Sequence, residues 1–371
     1  MRLPDLTPVE NPIMHPPSTL TRLLIVDDSA LIRKLLREIF TRERGFEVQT
    51  ARDGIEALKQ LHQFQPHVVS LDVNLPGQDG LECLSRIMVE RPSPVVMFSA
   101  LTEEGASASA EAMALGAVDF MAKPSGAISL NMEKVSQVLL EKIRGAAQAK
   151  VRRSRGLAQR VREQNQGEHE PLPTVRADIA EDFGVVLVGV STGGPRTLEE
   201  LLPRLPATFA WSVIVAQHMP ATFTSALAKR MQGLCALPVL EVVRPMPLQA
   251  GHIYIAMGDS DIVLSRRSQG VMVMPSPANE DYLWHPSVDG LVKSAQRVFP
   301  AQRLIGVLLT GMGYDGAAEM TQMRKNGAHT IAESEASAVV FGMPLELIQR
   351  KGAELVLPAE RIAQQLMQWI P

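Results

Sequence analysis

Three short strings place a hydroxyl, an imidazole and a carboxylate just after strand-like apolar runs: GVSTGG around Ser191, AQHMP around His218 and TGMGYDG around Asp315. A serine hydroxyl is a poor nucleophile until a histidine takes its proton. The histidine in turn needs a carboxylate to fix its tautomer and stabilise its cation. Brought together at the ends of parallel strands, the three are the equipment for acyl transfer. GVSTGG also contains G-x-S-x-G, Gly189 to Gly193, the string of a strand-to-helix elbow that presents its serine near backbone N–H groups. Alone it is a weak signal, because a serine in a glycine loop often only caps a helix. The chain order Ser…His…Asp also differs from the Ser…Asp/Glu…His of α/β-hydrolases, so the elbow does not assign that fold.

A second chemistry competes for TGMGYDG. Gly311, Gly313 and Gly316 spell G-x-G-x-x-G after a strand and before a helix, with Glu333 downstream, which is the layout of a dinucleotide fingerprint. Asp315 argues against it. A carboxylate beside the turn repels a pyrophosphate, whereas it suits an imidazole that must be oriented.

A separate set of polar residues occupies the first part of the chain. LLIVD ends in Asp27 and Asp28, HVVSLD in Asp72, PVVMFSA in Ser99 and Ala100, and VDFMAKP runs through Lys123. Parallel α/β sheets bind ligands at the carboxyl ends of their strands. Three carboxylates converging there repel one another unless a divalent cation sits among them, and an all-oxygen set suits Mg2+. Such a metal, with Lys123, stabilises the charge on a phosphoryl group passing to a carboxylate.

The elements that must position these groups alternate between strand and helix. From Arg22 to Ala147 five strand–helix units with short connections predict a parallel sheet covered on both faces. Leu31, Leu35, Ile39 and Phe40 recur at helical spacing, GIEALKQLHQF and GLECLSRIMVE read as helices, and Asn131 to Ala147 as an amphipathic helix. From Arg144 to Arg162 the chain turns rich in Arg, Ala and Gln, then continues as EQNQGEHEPLPTV. A basic segment of this kind either contacts an acidic partner protein or nucleic acid or serves as a solvated linker, and the linker is the preferred reading. A second α/β region starts near Glu181 with GVVLVG, followed by the strand-like WSVIVAQ, LPVLEVV, GHIYIA, DIVLS and GVMVM; the last four are close enough together to suggest an antiparallel or hairpin insertion. RLIGVLLTG, HTIAE and AELVL complete the strands. His285-Pro286-Ser287 reads as a cap for a helix starting near Val288, which leaves Glu280, Asp281, His285 and Asp289 outside the chemistry. Met246, Met257, Met272 and Met274 read as packing residues. The organisation expected is a disordered extension over 1–21, a regulatory α/β domain over 22–147, a linker over 148–180 and a catalytic α/β domain over 181–371.

The totals bound the function classes. At 371 residues and 46% hydrophobic, two cores are within reach. A net charge of −3 gives no global electrostatic reason for nucleic-acid binding. Cys83 and Cys235 fall in different domains, which fits reduced thiols in a cytoplasm rather than a disulfide framework. No apolar stretch approaches the roughly 18 residues of a membrane span, and the Pro-rich N-terminus lacks the apolar core of a signal peptide.

LLIVDDS, SLDVNLPGQDG, FSA and MAKP together resemble the receiver domain of two-component response regulators. The resemblance implies a doubly wound (βα)5, flavodoxin-like fold. It makes Asp72 the phosphoacceptor, Asp27, Asp28, Asp72 and the Val73 carbonyl the Mg2+ site, Ser99 and Lys123 the phosphoryl contacts, and Phe120 the aromatic that changes rotamer. GVSTGGP, AQHMP, HPSVDGL, LLTGMGYDGA and ESEASAVVFGMP resemble the catalytic domain of the chemotaxis protein-glutamate methylesterases, the CheB family. That resemblance implies a mainly parallel α/β sheet with an antiparallel hairpin insertion. It also implies a γ-glutamyl methyl ester on a methyl-accepting chemoreceptor as substrate, and receptor glutamine deamidation as a second activity. By it Ser191 is the nucleophile, His218 the general base and acid, Asp315 the orienting carboxylate, and the Thr192 and Met312 N–H groups the oxyanion donors. A histidine kinase is implied as phosphodonor, and no cofactor is expected in the esterase domain. The family precedent also has the unphosphorylated receiver cover the esterase cleft. The Pro-rich first 21 residues and the long arginine-rich linker depart from the family pattern.

Overall fold

The structure is a computed structural model and describes residues 20–76, 79–99, 102, 108, 111–113, 115–123, 132–151 and 183–370. The expected N-terminal extension and linker fall almost wholly outside these residues. The first strand nevertheless starts at Thr21, one residue inside the expected extension.

The first sheet is built from β1 (Thr21–Val26), β2 (Phe46–Ala51), β3 (Val68–Asp72), β4 (Val95–Ser99) and β5 (Asp119–Ala122), in the order β2-β1-β3-β4-β5 with every pair parallel. β3 and β4 are buried along their whole length, which is why VVSLD and VVMFS read as continuous rather than alternating runs. Helices α1 (Ala30–Arg42), α2 (Gly54–Phe64), α3 (Gly80–Glu90) and α4 (Met132–Ala147) cover it. Asp53 and Asp79 cap α2 and α3 through side-chain bonds to Glu56 N and Leu81 N. The buried face of α1 differs from the sequence expectation. Leu36 and Phe40 are buried, whereas Leu31 is 74% exposed. The helix starts at Ala30 with Ser29 as its cap, so the apolar stripe runs through Ile32, Leu36 and Phe40, and Leu31 lies to one side of it.

The second sheet has seven parallel strands in the order β15-β14-β13-β6-β7-β10-β8. They are β6 (Val185–Val190), β7 (Ser212–Gln217), β8 (Val239–Val242), β10 (Ile253–Ala256), β13 (Leu304–Leu308), β14 (His329–Glu333) and β15 (Leu355–Leu357). A separate antiparallel sheet joins β9 (Met246–Pro247), β11 (Ser260–Arg267) and β12 (Gly270–Pro277) in the order β11-β12-β9. The four closely spaced runs expected as one insertion therefore divide. LPVLEVV and GHIYIA enter the parallel sheet, and only DIVLS and GVMVM form the hairpin. Spacing alone cannot separate the two, because a short loop and a returning crossover leave similar gaps. Met246 on β9 and Met272 and Met274 on β12 belong to this small sheet, and like Met257 they are partly buried.

Six helices complete the second domain: α5 (Gly194–Leu201), α6 (Ala221–Leu234), α7 (Val288–Gln296), α8 (Ala317–Lys325), α9 (Met343–Gln349) and α10 (Ala359–Trp369). The two domains pack together, and one core cluster runs from receiver residues such as Leu84 and Phe120 into Val190, Leu198 and Phe223. Both cysteines are free and buried. Burial pushes the Cys83 thiol up to about 12 and that of Cys235 to about 11, so neither is a ready nucleophile.

Candidate active site and receiver pocket

β6 and β7 are paired so that Val190 faces Gln217. Ser191 and His218 are the next residues on these neighbouring strands, whose backbones run about 4.8 Å apart. The His218 N–H donates to Val190 O at 3.1 Å, and Gln217 Nε2 donates to the Ser191 carbonyl at 2.9 Å. β13 pairs with the other edge of β6 and delivers Asp315 to the same rim. His218 Nε2 lies 2.8 Å from Asp315 Oδ2 in a buried pair. The carboxylate fixes the ring proton on Nε2, so Nδ1 carries the lone pair; it is buried without a hydrogen-bond partner.

Asp315 is held by more than the histidine. Its oxygens accept the Val288 N–H at 2.7 Å, the Asp289 N–H at 2.9 Å and the Ser287 hydroxyl at 3.2 Å. These donors are the first turn of α7 and its cap, where unpaired N–H groups and the helix dipole favour a negative charge. The expected cap at Ser287 is present, its hydroxyl accepting the Gly290 N–H at 3.1 Å. Behind it Asp261 accepts from Ser287 N at 2.8 Å and pairs with His285 Nδ1 at 3.0 Å, so His285 supports the cap as expected. Asp289 is pushed up to about 6 by burial and then by the Asp315 charge. Trp284 lies parallel to the His218 ring with centroids 5.7 Å apart, and Tyr314 meets Trp284 edge-on at 5.1 Å.

The dinucleotide reading of TGMGYDG does not fit this geometry. Asp315 is committed to His218 and α7. Glu333 is fully buried beneath the loop, its Oε2 accepting the Thr310 N–H at 2.7 Å, and no ribose can reach it.

Of the expected near-site residues, Thr192 and Met312 both face the receiver. Thr192 Oγ1 donates to Asp119 Oδ2 at 2.6 Å, and Lys142 Nζ holds the same carboxylate at 3.0 Å from each oxygen. The Gly193 N–H donates to Val118 O at 2.9 Å. Gly193 has φ +82, and a Cβ there would lie 2.5 Å from Val339 Cβ, so both the turn and the contact require glycine. Gly145 on α4 faces Met312, whose sulfur would be 2.8 Å from an added Cβ. The Phe120 and Phe223 rings meet at 4.4 Å. Ser191, Thr192, His218 and Asp315 are all buried.

In the receiver, one oxygen each from Asp27, Asp28 and Asp72 lies within 4.8 Å of the others. Lys123 Nζ is 2.6 Å from Asp72 Oδ2 and 3.0 Å from Asp27 Oδ2. Burial raises the Asp72 carboxyl above its usual range, and the Asp27 charge adds to this. A pocket with three carboxylates and one ammonium is short of positive charge, and its hard oxygen donors fit Mg2+. Ser99 is buried at the end of β4. The Val73 carbonyl accepts the Gly80 N–H at 3.0 Å, and its second lone pair leaves it able to ligate as well.

Comparison with known proteins agrees with both halves. The profile of the CheB methylesterase family matches residues 186–366, and that of the response regulator receiver domain matches residues 23–133. The protein-glutamate methylesterase/protein-glutamine glutaminase 3 of Rhodospirillum rubrum is 54% identical over 95% of this chain and 96% of its own length. The chain belongs to the CheB methylesterase family. A second CheB-family relative, protein-glutamate methylesterase/protein-glutamine glutaminase 2 of Rhodopseudomonas palustris, is 51% identical over 94% of this chain and 98% of its own. Among solved structures, the Thermotoga maritima CheB methylesterase catalytic domain is 35% identical and covers 50% of this chain and 98% of its own, with a TM-score of 0.49.

Sequence reasoning missed Asp119, Gln217, Phe223, Trp284, Thr310 and Glu333. Only Glu333 had a signal, and that signal pointed to the wrong ligand. The others are single residues, Asp119, Gln217 and Phe223 on strands or a helix and Trp284 and Thr310 in loops, given meaning by partners far away in the chain.

Proposed function

We propose that this chain is a phosphorylation-regulated serine esterase that hydrolyses glutamate methyl esters on methyl-accepting chemoreceptors and deamidates receptor glutamines. The observation that carries the reading is the buried 2.8 Å His218–Asp315 pair beside Ser191 on the neighbouring strand. His218 Nδ1 takes the Ser191 proton as the hydroxyl attacks the γ-carbonyl. Asp315, pinned by α7, keeps the ring oriented and stabilises the imidazolium that forms. The Thr192 and Met312 backbone N–H groups hold the developing oxyanion, each worth about 3 kcal/mol. His218 then protonates the departing methanol, or ammonia when the substrate is a glutamine. Water repeats the cycle on the acyl-enzyme, leaving glutamate. The esterase domain needs no metal for these steps.

Asp72 receives the phosphoryl group from a histidine kinase, with Ser99 and Lys123 contacting it. Asp27, Asp28, Asp72 and the Val73 carbonyl would hold Mg2+, which would supply positive charge against the phosphoryl group when bound. The unphosphorylated receiver covers the esterase site, a reading supported by the Thr192–Asp119, Gly193–Val118 and Phe120–Phe223 contacts. A change in the Phe120 rotamer removes the last of these and loosens the cover. The substrate is a protein, not a nucleic acid. No described helix is long and apolar enough to cross a membrane, and the place of action we propose is the cytoplasmic face of the receptor.

The decisive measurement is methanol release from methylated receptor by the full chain and by Ser191→Ala, each with and without phosphodonor. Release by the wild type that phosphodonor stimulates, with none from Ser191→Ala, is the expected result. Undiminished release by Ser191→Ala ends the serine mechanism.

A further inference from the structure

Three loops meet at Thr310, immediately after β13. Its carbonyl accepts the Ser191 N–H at 2.9 Å, and its hydroxyl donates to the Thr192 carbonyl at 2.9 Å while accepting the Val340 N–H at 2.9 Å. The Val340 carbonyl returns to Gly311 N at 3.0 Å, next to Met312. Thr310 therefore ties the nucleophile loop to the loop bearing Met312 and Asp315. What holds Thr310 from below is Glu333, at the end of β14. Its Oε2 accepts the Thr310 N–H at 2.7 Å and its Oε1 accepts the Ser337 hydroxyl at 2.8 Å. Ser337 Oγ in turn accepts the Ala359 N–H at 3.0 Å, anchoring the carboxylate to the start of α10.

A carboxylate is a costly choice here. Glu333 is fully buried, and the Thr310 N–H and Ser337 hydroxyl that donate to it are neutral. Burial, with the charges of Glu200 and Glu360 behind it, pushes the carboxyl up to about 7. An amide of similar volume accepts the same N–H without this penalty, whereas an apolar side chain leaves the buried Thr310 N–H without its acceptor, so what the position supplies is an acceptor under Thr310. Groups that run against stability concentrate where function needs them.

We propose that Glu333 is a positioning residue for acyl transfer: by accepting the Thr310 N–H it fixes the residue that receives the Ser191 N–H, and so sets the spacing between the Ser191 hydroxyl and the oxyanion donors. The inference rests on the esterase reading above. Glu333 touches no substrate atom, and its effect falls on the turnover step, because an oxyanion donor displaced by about 1 Å costs up to 10^2-fold in rate while ground-state receptor binding is unaffected.

The test uses the full chain with phosphodonor and methylated receptor, measuring kcat and KM separately. Glu333→Leu removes the acceptor and is expected to lower kcat by about 30-fold with KM unchanged. Glu333→Gln keeps an acceptor oxygen at the same reach and should restore kcat to within about threefold of wild type. Wild-type kcat in Glu333→Leu, a loss carried by KM, or a Glu333→Gln as impaired as Glu333→Leu each overturns the inference. If Glu333→Leu yields no folded protein, Glu333→Asp decides: its carboxylate falls short of the Thr310 N–H, so lowered kcat supports the role and full kcat refutes it. Ser191→Ala, run alongside, separates the two claims. Activity surviving in that variant strikes the esterase reading, whereas an inactive Ser191→Ala beside a fully active Glu333→Leu strikes only the positioning role.

Discussion

Both domains collect aspartates at the carboxyl ends of parallel strands, yet they treat the charge in opposite ways. In the receiver, Asp27, Asp28 and Asp72 crowd together with Lys123 as their cation, and burial lifts the Asp72 carboxyl. In the esterase domain, Asp315 stands among donors: two N–H groups of α7, the Ser287 hydroxyl and the His218 ring. The first site is left with charge to be neutralised, and our proposal has it gain a cation and a phosphoryl group. The second is already neutralised by a helix N-terminus and is built to keep one imidazole still. The same residue type on the same kind of strand end serves as a receptor for charge or as a rigid mount, according to what faces it.

The sharpest way to break this comparison is at the mount. Asp315→Asn keeps the shape but removes the charge and favours the wrong histidine tautomer. A fall in kcat of about 10^4-fold is expected for methanol release, and a loss below tenfold would deny Asp315 its role. Asp72→Asn acts on the other side. It should leave basal release unchanged while abolishing phosphodonor stimulation, a coupling on the order of tenfold. Stimulation persisting in this variant removes Asp72 as phosphoacceptor. Where the sites touch, Asp119→Ala cuts the bond to Thr192 and should raise unphosphorylated activity roughly fivefold, the equivalent of about 1 kcal/mol of cover.

Two smaller effects sharpen the contrast between buried and exposed charge. Glu333 ionises in the fold near pH 7 against a usual 4.5, so its neutral form contributes stability below about pH 4.5 that is lost as pH rises through about 7. Urea unfolding of Glu333→Gln and wild type should therefore diverge as pH rises from 5 to 8.5, with the variant ahead by on the order of 3 kcal/mol at most. Equal curves across this range would mean Glu333 ionises normally. At the exposed domain contact Lys150–Glu335, both side chains are more than half exposed, and Lys150→Ala should shift stability by less than about 0.5 kcal/mol.

Much of the site was legible because catalysis and phosphoryl chemistry put polar residues where a buried strand must end. LLIVDDS, HVVSLD and RLIGVLLTG each switch abruptly from apolar to polar, which marks the end of a strand buried on both faces. The α1 face was misjudged because Leu31 and Ile32 are adjacent and equally apolar, so only the packed helix shows which one faces the sheet. DIVLS and LPVLEVV looked alike because local pattern does not encode which neighbour a strand pairs with.

The sequence by itself determined the two α/β modules, their order and the residue types at each strand end, because periodicity and burial act over short stretches of chain. Only the tertiary structure decided that Asp119 closes on Thr192 across 73 residues, that α7 points its N-terminus at Asp315, and that Glu333 lies under Thr310 rather than beside a nucleotide. Those contacts are between residues distant in sequence. Each exists only because packed sheets and helices bring particular donors within about 3 Å of particular acceptors, a distance no local pattern records.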